Sequence, residues 1–162
     1  MNVQDRIAHL ATQLELLPHP EGGFYKETYR SLDLVKSPNG ERNLCTVIYF
    51  LLTSSNVSKF HRIQSDEHWF WHEGSPLTIH ILDGGFHHQL SLGPVNSATA
   101  SSPQQLVPAE KIFGSTVDEP DSYALVSCVV APGFDFQDFE LFGKEELIRD
   151  FPGNEKIITR LT

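Results

Sequence analysis

The stretch Ser58-Lys-Phe-His61-Arg-Ile63-Gln-Ser-Asp66-Glu67-His68-Trp69-Phe-Trp71-His72-Glu-Gly74 decides how the chain is read. Side chains alternate faces along a strand, so a strand from Lys59 to Ile63 puts His61 and Ile63 on one side. A second strand from Glu67 to His72 puts Glu67, Trp69 and Trp71 on one side, and Gln64-Ser65-Asp66 between them is a turn-forming run. If the two strands pair, His61 and Glu67 meet on the concave face of a barrel walled by indole rings. A largely apolar wall with a few convergent polar groups is the composition of a ligand pocket.

Outward from this stretch the chain reads as short strands with turn punctuation. Leu44 to Thr53 is a nearly continuous apolar run, consistent with a strand buried on both sides, and Tyr123 to Ala131 is another. Pro76 to Leu82, Gly85 to Leu92 and Leu106-Val107 are further strands, separated by Asp-Gly-Gly, Gly-Pro and the Ser/Ala/Pro-rich run from Asn96 to Pro103. This spacing predicts a sandwich or barrel. Ile7, Leu10, Ala11, Leu14 and Leu17 recur at helical spacing, so an N-terminal helix with Asn2 as its cap is expected over 2–17. Leu147, Ile148 and Phe151 predict one short C-terminal helix over 144–151, closed by Pro152-Gly153. The run from Phe134 to Leu141 is read as a strand turning over one end of the barrel, with Asp135 and Asp138 solvated or capping.

With 162 residues and no internal repeat, one domain over 1–162 is expected, long enough to bury its own core. The balance of 12 Lys+Arg against 21 Asp+Glu gives a formal charge of -9, which repels phosphate backbones and argues against a nucleic-acid partner. No apolar run reaches the ~20 residues of a membrane span, and no basic segment leads into an apolar one at the N-terminus, so a cytoplasmic protein without a membrane partner is expected. Cys45 and Cys128 sit in apolar runs without Cys-x-x-Cys spacing and read as reduced core thiols.

Other polar groups are weighed by position. In Phe24-Tyr25-Lys26-Glu27-Thr28-Tyr29-Arg30, strict alternation sets Tyr25, Glu27 and Tyr29 opposite Arg30. Arg30 with Tyr25 or Tyr29 reads either as the rim of a pocket, holding an anion bidentately, or as an interface strand with internally paired charges. His68, His72, His80, His87 and His88 have no identifiable metal partner and read as surface or hydrogen-bonded histidines.

The spacing His61, Glu67, Gly74 resembles the first cupin motif, in which a second histidine stands where this chain has Ile63 and an opening glycine where it has Ser55. The second cupin motif falls on Pro108 to Phe113, with Glu110 and Phe113 in place of its glycine and histidine. Together with the blocks Leu17 to Ser31, Phe60 to Trp69, Leu106 to Ala109 and Val130 to Glu140, the chain is similar to a family of small cupins whose activity is largely unassigned. The resemblance implies an all-β fold, a cupin jelly-roll β-barrel, in a homodimer shaped like the dTDP-sugar epimerases.

With Ile63 and Phe113 at two of the four expected ligand positions, no cofactor is expected; a divalent metal held by His61 and Glu67 alone would be weak. The expected chemistry is therefore metal-free. His61 is the candidate general base, Glu67 its orienter, Tyr25 or Tyr29 the acid and Arg30 the anion clamp, acting on a sugar-like small molecule as an epimerase or isomerase does. Trp69, Trp71 and Phe113 would wall the substrate. The alternatives are a barrel that binds a small molecule without transforming it, stacked on the same aromatic rings, and a metal-dependent enzyme with an atypical ligand set.

Overall fold

The computed structural model describes all of residues 1–162. In chain order its elements are α1 (Val3–Gln13), β1 (Leu17–Pro18), β2 (Phe24–Arg30), β3 (Leu34–Ser37), β4 (Gly40–Asn43), β5 (Thr46–Thr53) and β6 (Ser58–Arg62). There follow β7 (Asp66–Gly74), β8 (Leu77–Asp83), β9 (Phe86–Leu92), β10 (Gln104–Val107), β11 (Ile112–Val117) and β12 (Tyr123–Ala131). A 3-10 turn (Phe136–Asp138), β13 (Glu140–Leu141), α2 (Lys144–Asp150) and α3 (Glu155–Arg160) complete the chain. The fold is an all-β jelly roll with helices on its outside.

Two antiparallel sheets face each other, one ordered β1-β2-β5-β12-β7-β10 and the other β13-β6-β11-β8-β9. Alternation sends Phe50, Leu52, Trp69, Val126 and Cys128 inward from the first and Leu77, Ile79, Ile81 and Phe113 inward from the second. Leu10 and Leu16 cover Leu51 and Leu125 on the outer face of the first sheet, so α1 packs on the barrel. Asn2 caps α1 by accepting from the Asp5 amide at 2.8 Å, but the helix stops at Gln13 rather than reaching Leu17. Leu147, Ile158 and Leu161 cover Phe60, Leu82 and Ile112 on the second sheet. The sequence predicts one C-terminal helix; a second, α3, follows Pro152-Gly153. No helix is long and apolar enough to cross a membrane.

Three departures from regular geometry shape the interior. β6 and β7 do not pair as predicted: β6 lies in one sheet and β7 in the other, so Gln64-Ser65 crosses the barrel end. His61 and Glu67 therefore approach from facing walls. A bulge in β6 sets Phe113 opposite His61 but Ser115 opposite Ser58, so Ser58 and His61, three residues apart, point the same way. A Cβ on Gly114 would come within 2.5 Å of the Ser58 carbonyl oxygen, so only glycine fits against this bulge. A bulge in β2 skips Thr28, pairing Glu27 with Ile48 and Tyr29 with Val47, and so brings Arg30 onto the face of Glu27.

Candidate active site

A cavity of about 210 Å³ opens at one end of the barrel between the two sheets. Its wall includes His19, Glu21, Tyr25, Glu27, Arg30, Thr46, His61, Glu67 and Cys128, with Ile48, Ile63, Val130, Phe134 and Phe136 as apolar surface. Four predicted site residues, His61, Glu67, Tyr25 and Arg30, meet here. Four others do not. The β2 bulge turns Tyr29 away from the wall, leaving it 54% exposed. Trp69 shares the face of Glu67 but lies one residue pair deeper, 1% exposed in the core. Trp71 is further along the same strand and donates its indole N–H to the Ser75 carbonyl at 3.2 Å. Phe113 lies behind His61, ring centroids 4.2 Å apart, and supports the imidazole from the core side.

The centre of the cavity is a buried ion pair. His61 Nε2 lies 2.9 Å from Glu21 Oε2, and both side chains are almost fully enclosed. His61 Nδ1 lies 2.7 Å from the Lys59 carbonyl, which can only accept, so this nitrogen carries a proton. Ser58 donates to the other Glu21 oxygen at 2.9 Å. Burial opposes charge on both groups, yet the carboxylate raises the imidazole's proton affinity, while His61, His19 and Ser58 hold Glu21 below the usual carboxylate range. The pair is thus imidazolium and carboxylate, and Glu21 is the orienter the sequence reading assigned to Glu67. Both ring nitrogens are committed as donors, so His61 has no free lone pair to act as a base.

Glu67 occupies the opposite situation. Burial and the neighbouring Glu21 carboxylate push its carboxyl up to about 7, only partly offset by His61 and by a hydrogen bond from the Cys128 thiol. It is thus the group on the cavity wall poised to take and return a proton near neutral pH. Burial raises the Cys128 thiol well above its ordinary range, so the sulfur is a hydrogen-bond donor rather than a nucleophile. His19 is pushed downward by its own burial and stays neutral, its ring centroid 4.5 Å from that of Tyr25.

Glu21, the main omission from the sequence-based site, precedes Gly22 and Gly23, whose φ values of +108° and +73° suit glycine. That turn lays the Glu21 carbonyl 2.7 Å from the Lys59 amide, fixing the carboxylate beside β6. An acid directly before Gly-Gly was the available signal. Phe134 and Phe136 were also missed because the segment after Gly133 forms a 3-10 turn over the cavity instead of the expected strand. Asp138, expected to be solvated or capping, is buried and bound by Arg42 Nε at 2.8 Å and Nη2 at 2.9 Å. With Thr46 Oγ1 accepting from the Phe134 amide at 2.9 Å, this pair pins the turn at both ends.

The side chains present do not form the cupin metal position. No group of three His, Cys, Asp or Glu residues is arranged to hold an ion. His61 Nε2, the atom that would coordinate, is bonded to Glu21, and Ile63 contributes only hydrocarbon. These residues do not fit the metal.

A two-sheet jelly roll with a cavity of mixed polar and apolar lining at its open end defines a cupin-type barrel with a small-molecule-sized pocket. Residues 8–142 match the family described as cupin superfamily (DUF985), and the chain belongs to that family. It is similar to protein SO0799 of Shewanella oneidensis, known from its crystal structure, at 40% identity and TM-score 0.88, covering 100% of this chain and 98% of that one. A hypothetical protein from Leishmania major is 37% identical with TM-score 0.88, covering 96% and 97% of the two chains. The uncharacterized protein YML079W of Saccharomyces cerevisiae is 30% identical over 165 residues, 93% of this chain and 82% of that one.

Proposed function

We propose that the cavity binds one small polar molecule and moves a proton on it, with Glu67 as the acid–base group. The single observation behind this reading is a buried carboxyl, held to about 7, on the wall of the cavity beside a fixed ion pair. A cavity of about 210 Å³, open at the barrel end, suits a buried moiety of roughly one sugar ring. A nucleotide sugar would leave its nucleotide outside.

The concrete form is proton abstraction beside a carbonyl, the opening step of aldose–ketose isomerisation, in which one carboxyl can serve both carbons from the same face. The Glu67 carboxylate takes the proton from carbon, the C–H electrons move onto the carbonyl oxygen as an enolate forms, and the same carboxyl returns the proton. The His61 imidazolium contributes positive charge from a fixed position, in a site of low dielectric where such charge acts strongly. Tyr25 is the wall hydroxyl suited to donate to the developing oxyanion. The barrel strands that carry these groups are rigid, which keeps them oriented without reorganisation.

The test is carbon-bound hydrogen exchange in deuterium oxide, with dihydroxyacetone as probe and proton NMR as readout. Wild type should accelerate exchange, rising with pH as Glu67 ionises near 7, and Glu67→Gln should lose about 10²–10⁴-fold of that acceleration. Equal exchange by the two proteins removes Glu67 from the role. Probe binding with no catalysed exchange by either protein supports instead a barrel that holds a small molecule without transforming it.

A further inference from the structure

We propose that the Glu27–Arg30 pair at the cavity rim is a charge selector that reserves the cavity for uncharged hydroxy-carbonyl ligands and turns away carboxylates and phosphates. The inference rests on the reading of this cavity as a ligand site and narrows the class of ligand.

Arginine has five N–H donors. In Arg30, Nε and Nη2 donate to the two Glu27 oxygens at 3.2 and 2.6 Å, Nη2 also donates to the Phe134 carbonyl at 3.1 Å, and Nη1 to Asn43 at 2.9 Å. Four of the five are therefore spent inside the protein, and the bidentate edge that would grip an anion is filled by Glu27. The pairing is built by the fold. Residues three apart on a regular strand point to opposite faces, and only the bulge at Thr28 sets Glu27 and Arg30 side by side on the cavity wall.

Each side chain of the pair is more than a third exposed, so its attraction is screened and does little for stability. Its consequence is for ligands. An incoming anion must detach Arg30 from Glu27 and then lie against the released carboxylate, with Glu21 a further negative group on the same wall. A neutral ligand meets neither penalty and finds the remaining Nη1 hydrogen, the Tyr25 hydroxyl and the Glu67 carboxyl as hydrogen-bonding partners. The inner cation, His61, cannot substitute as an anion clamp, because both its nitrogens are bonded to Lys59 and Glu21.

Lactamide and lactate are nearly isosteric and differ in charge, and amide chemical shifts of Thr46, Ile48 and Val130 report binding inside the cavity. Titrations at about pH 6 keep Glu67 protonated, so any selection belongs to the rim. Wild type should bind lactate at least tenfold more weakly than lactamide. Glu27→Gln should raise the affinity for lactate relative to lactamide at least tenfold, while Arg30→Gln should gain no lactate affinity. Lactate binding wild type as well as lactamide overturns the selector, as does Glu27→Gln that remains folded by circular dichroism and gains no lactate binding. A protein that discriminates as expected yet shows no Glu67-dependent exchange retains the selector and loses the proton-transfer reading, so the two failures are distinct.

Discussion

Two buried histidine clusters in this barrel differ in charge for reasons visible in their partners. His61 meets a carbonyl and a carboxylate, and the carboxylate outweighs the cost of burial, so the imidazole is protonated. His80, on the outer face of the other sheet, meets His87 Nε2 and the Thr116 hydroxyl, both at 2.9 Å. Burial, then repulsion from His87 and Arg160, lower its affinity to about 4, so it stays neutral. Both rings are buried and both are saturated with hydrogen bonds. A single anionic partner separates a charged centre facing a cavity from a neutral strut between strands.

The largest expected effect comes from removing that partner. Glu21→Ala leaves His61 buried without its counter-charge and should cost about 3–5 kcal/mol of unfolding free energy at pH 7 by urea titration. An unchanged midpoint would mean that the pair does not carry the charge assigned to it.

Glu67 sharpens the contrast through pH. Its ordinary value is 4.5 and its folded value about 7, so between these the folded chain binds more protons than the unfolded chain. Stability therefore falls as pH rises through this window, and the whole loss is present above it. Glu67→Gln should be about 3 kcal/mol more stable than wild type at pH 8 and no different at pH 4. A constant difference across pH would show that Glu67 titrates normally.

His80 should give the mirror image at smaller scale. Below 6.5 the unfolded chain takes up a proton that the folded ring refuses until about 4, so stability is lost as pH falls. His80→Gln should recover about 2 kcal/mol at pH 4.5 relative to its effect at pH 7. Recovery at alkaline pH instead would reverse the assignment. The smallest effect is Phe136→Ala: with this side chain 51% exposed, its loss should cost below about 1 kcal/mol while weakening ligands held under the 3-10 turn. Unchanged lactamide affinity would remove Phe136 from the binding wall.

The sequence disclosed the barrel because its strands obey period-two alternation and its turns carry Gly, Pro and Asn, all of them local signals. The same rule failed where a strand slips by one residue. Alternation placed Arg30 opposite Glu27 and offered no reason to join Ser58 to His61, and the bulges at Thr28 and between Ser58 and His61 reversed both expectations. The tryptophans misled for another reason: facing inward is legible, but depth along the barrel is not, and Trp69 fills the core beneath the cavity.

From its residues alone the chain fixes the type of fold and the inward faces of its main strands, those of His61 and Glu67 included, because each follows from near-neighbour patterning. Which group is charged, which carboxyl holds its proton near neutral pH and which binds the other were decided by tertiary structure. Glu21 is 40 positions from His61 in the chain. Only the closure of the Gly22-Gly23 turn against β6 sets a carboxylate 2.9 Å from that imidazole and, by occupying it, leaves Glu67 as the unpaired buried carboxyl of the cavity wall.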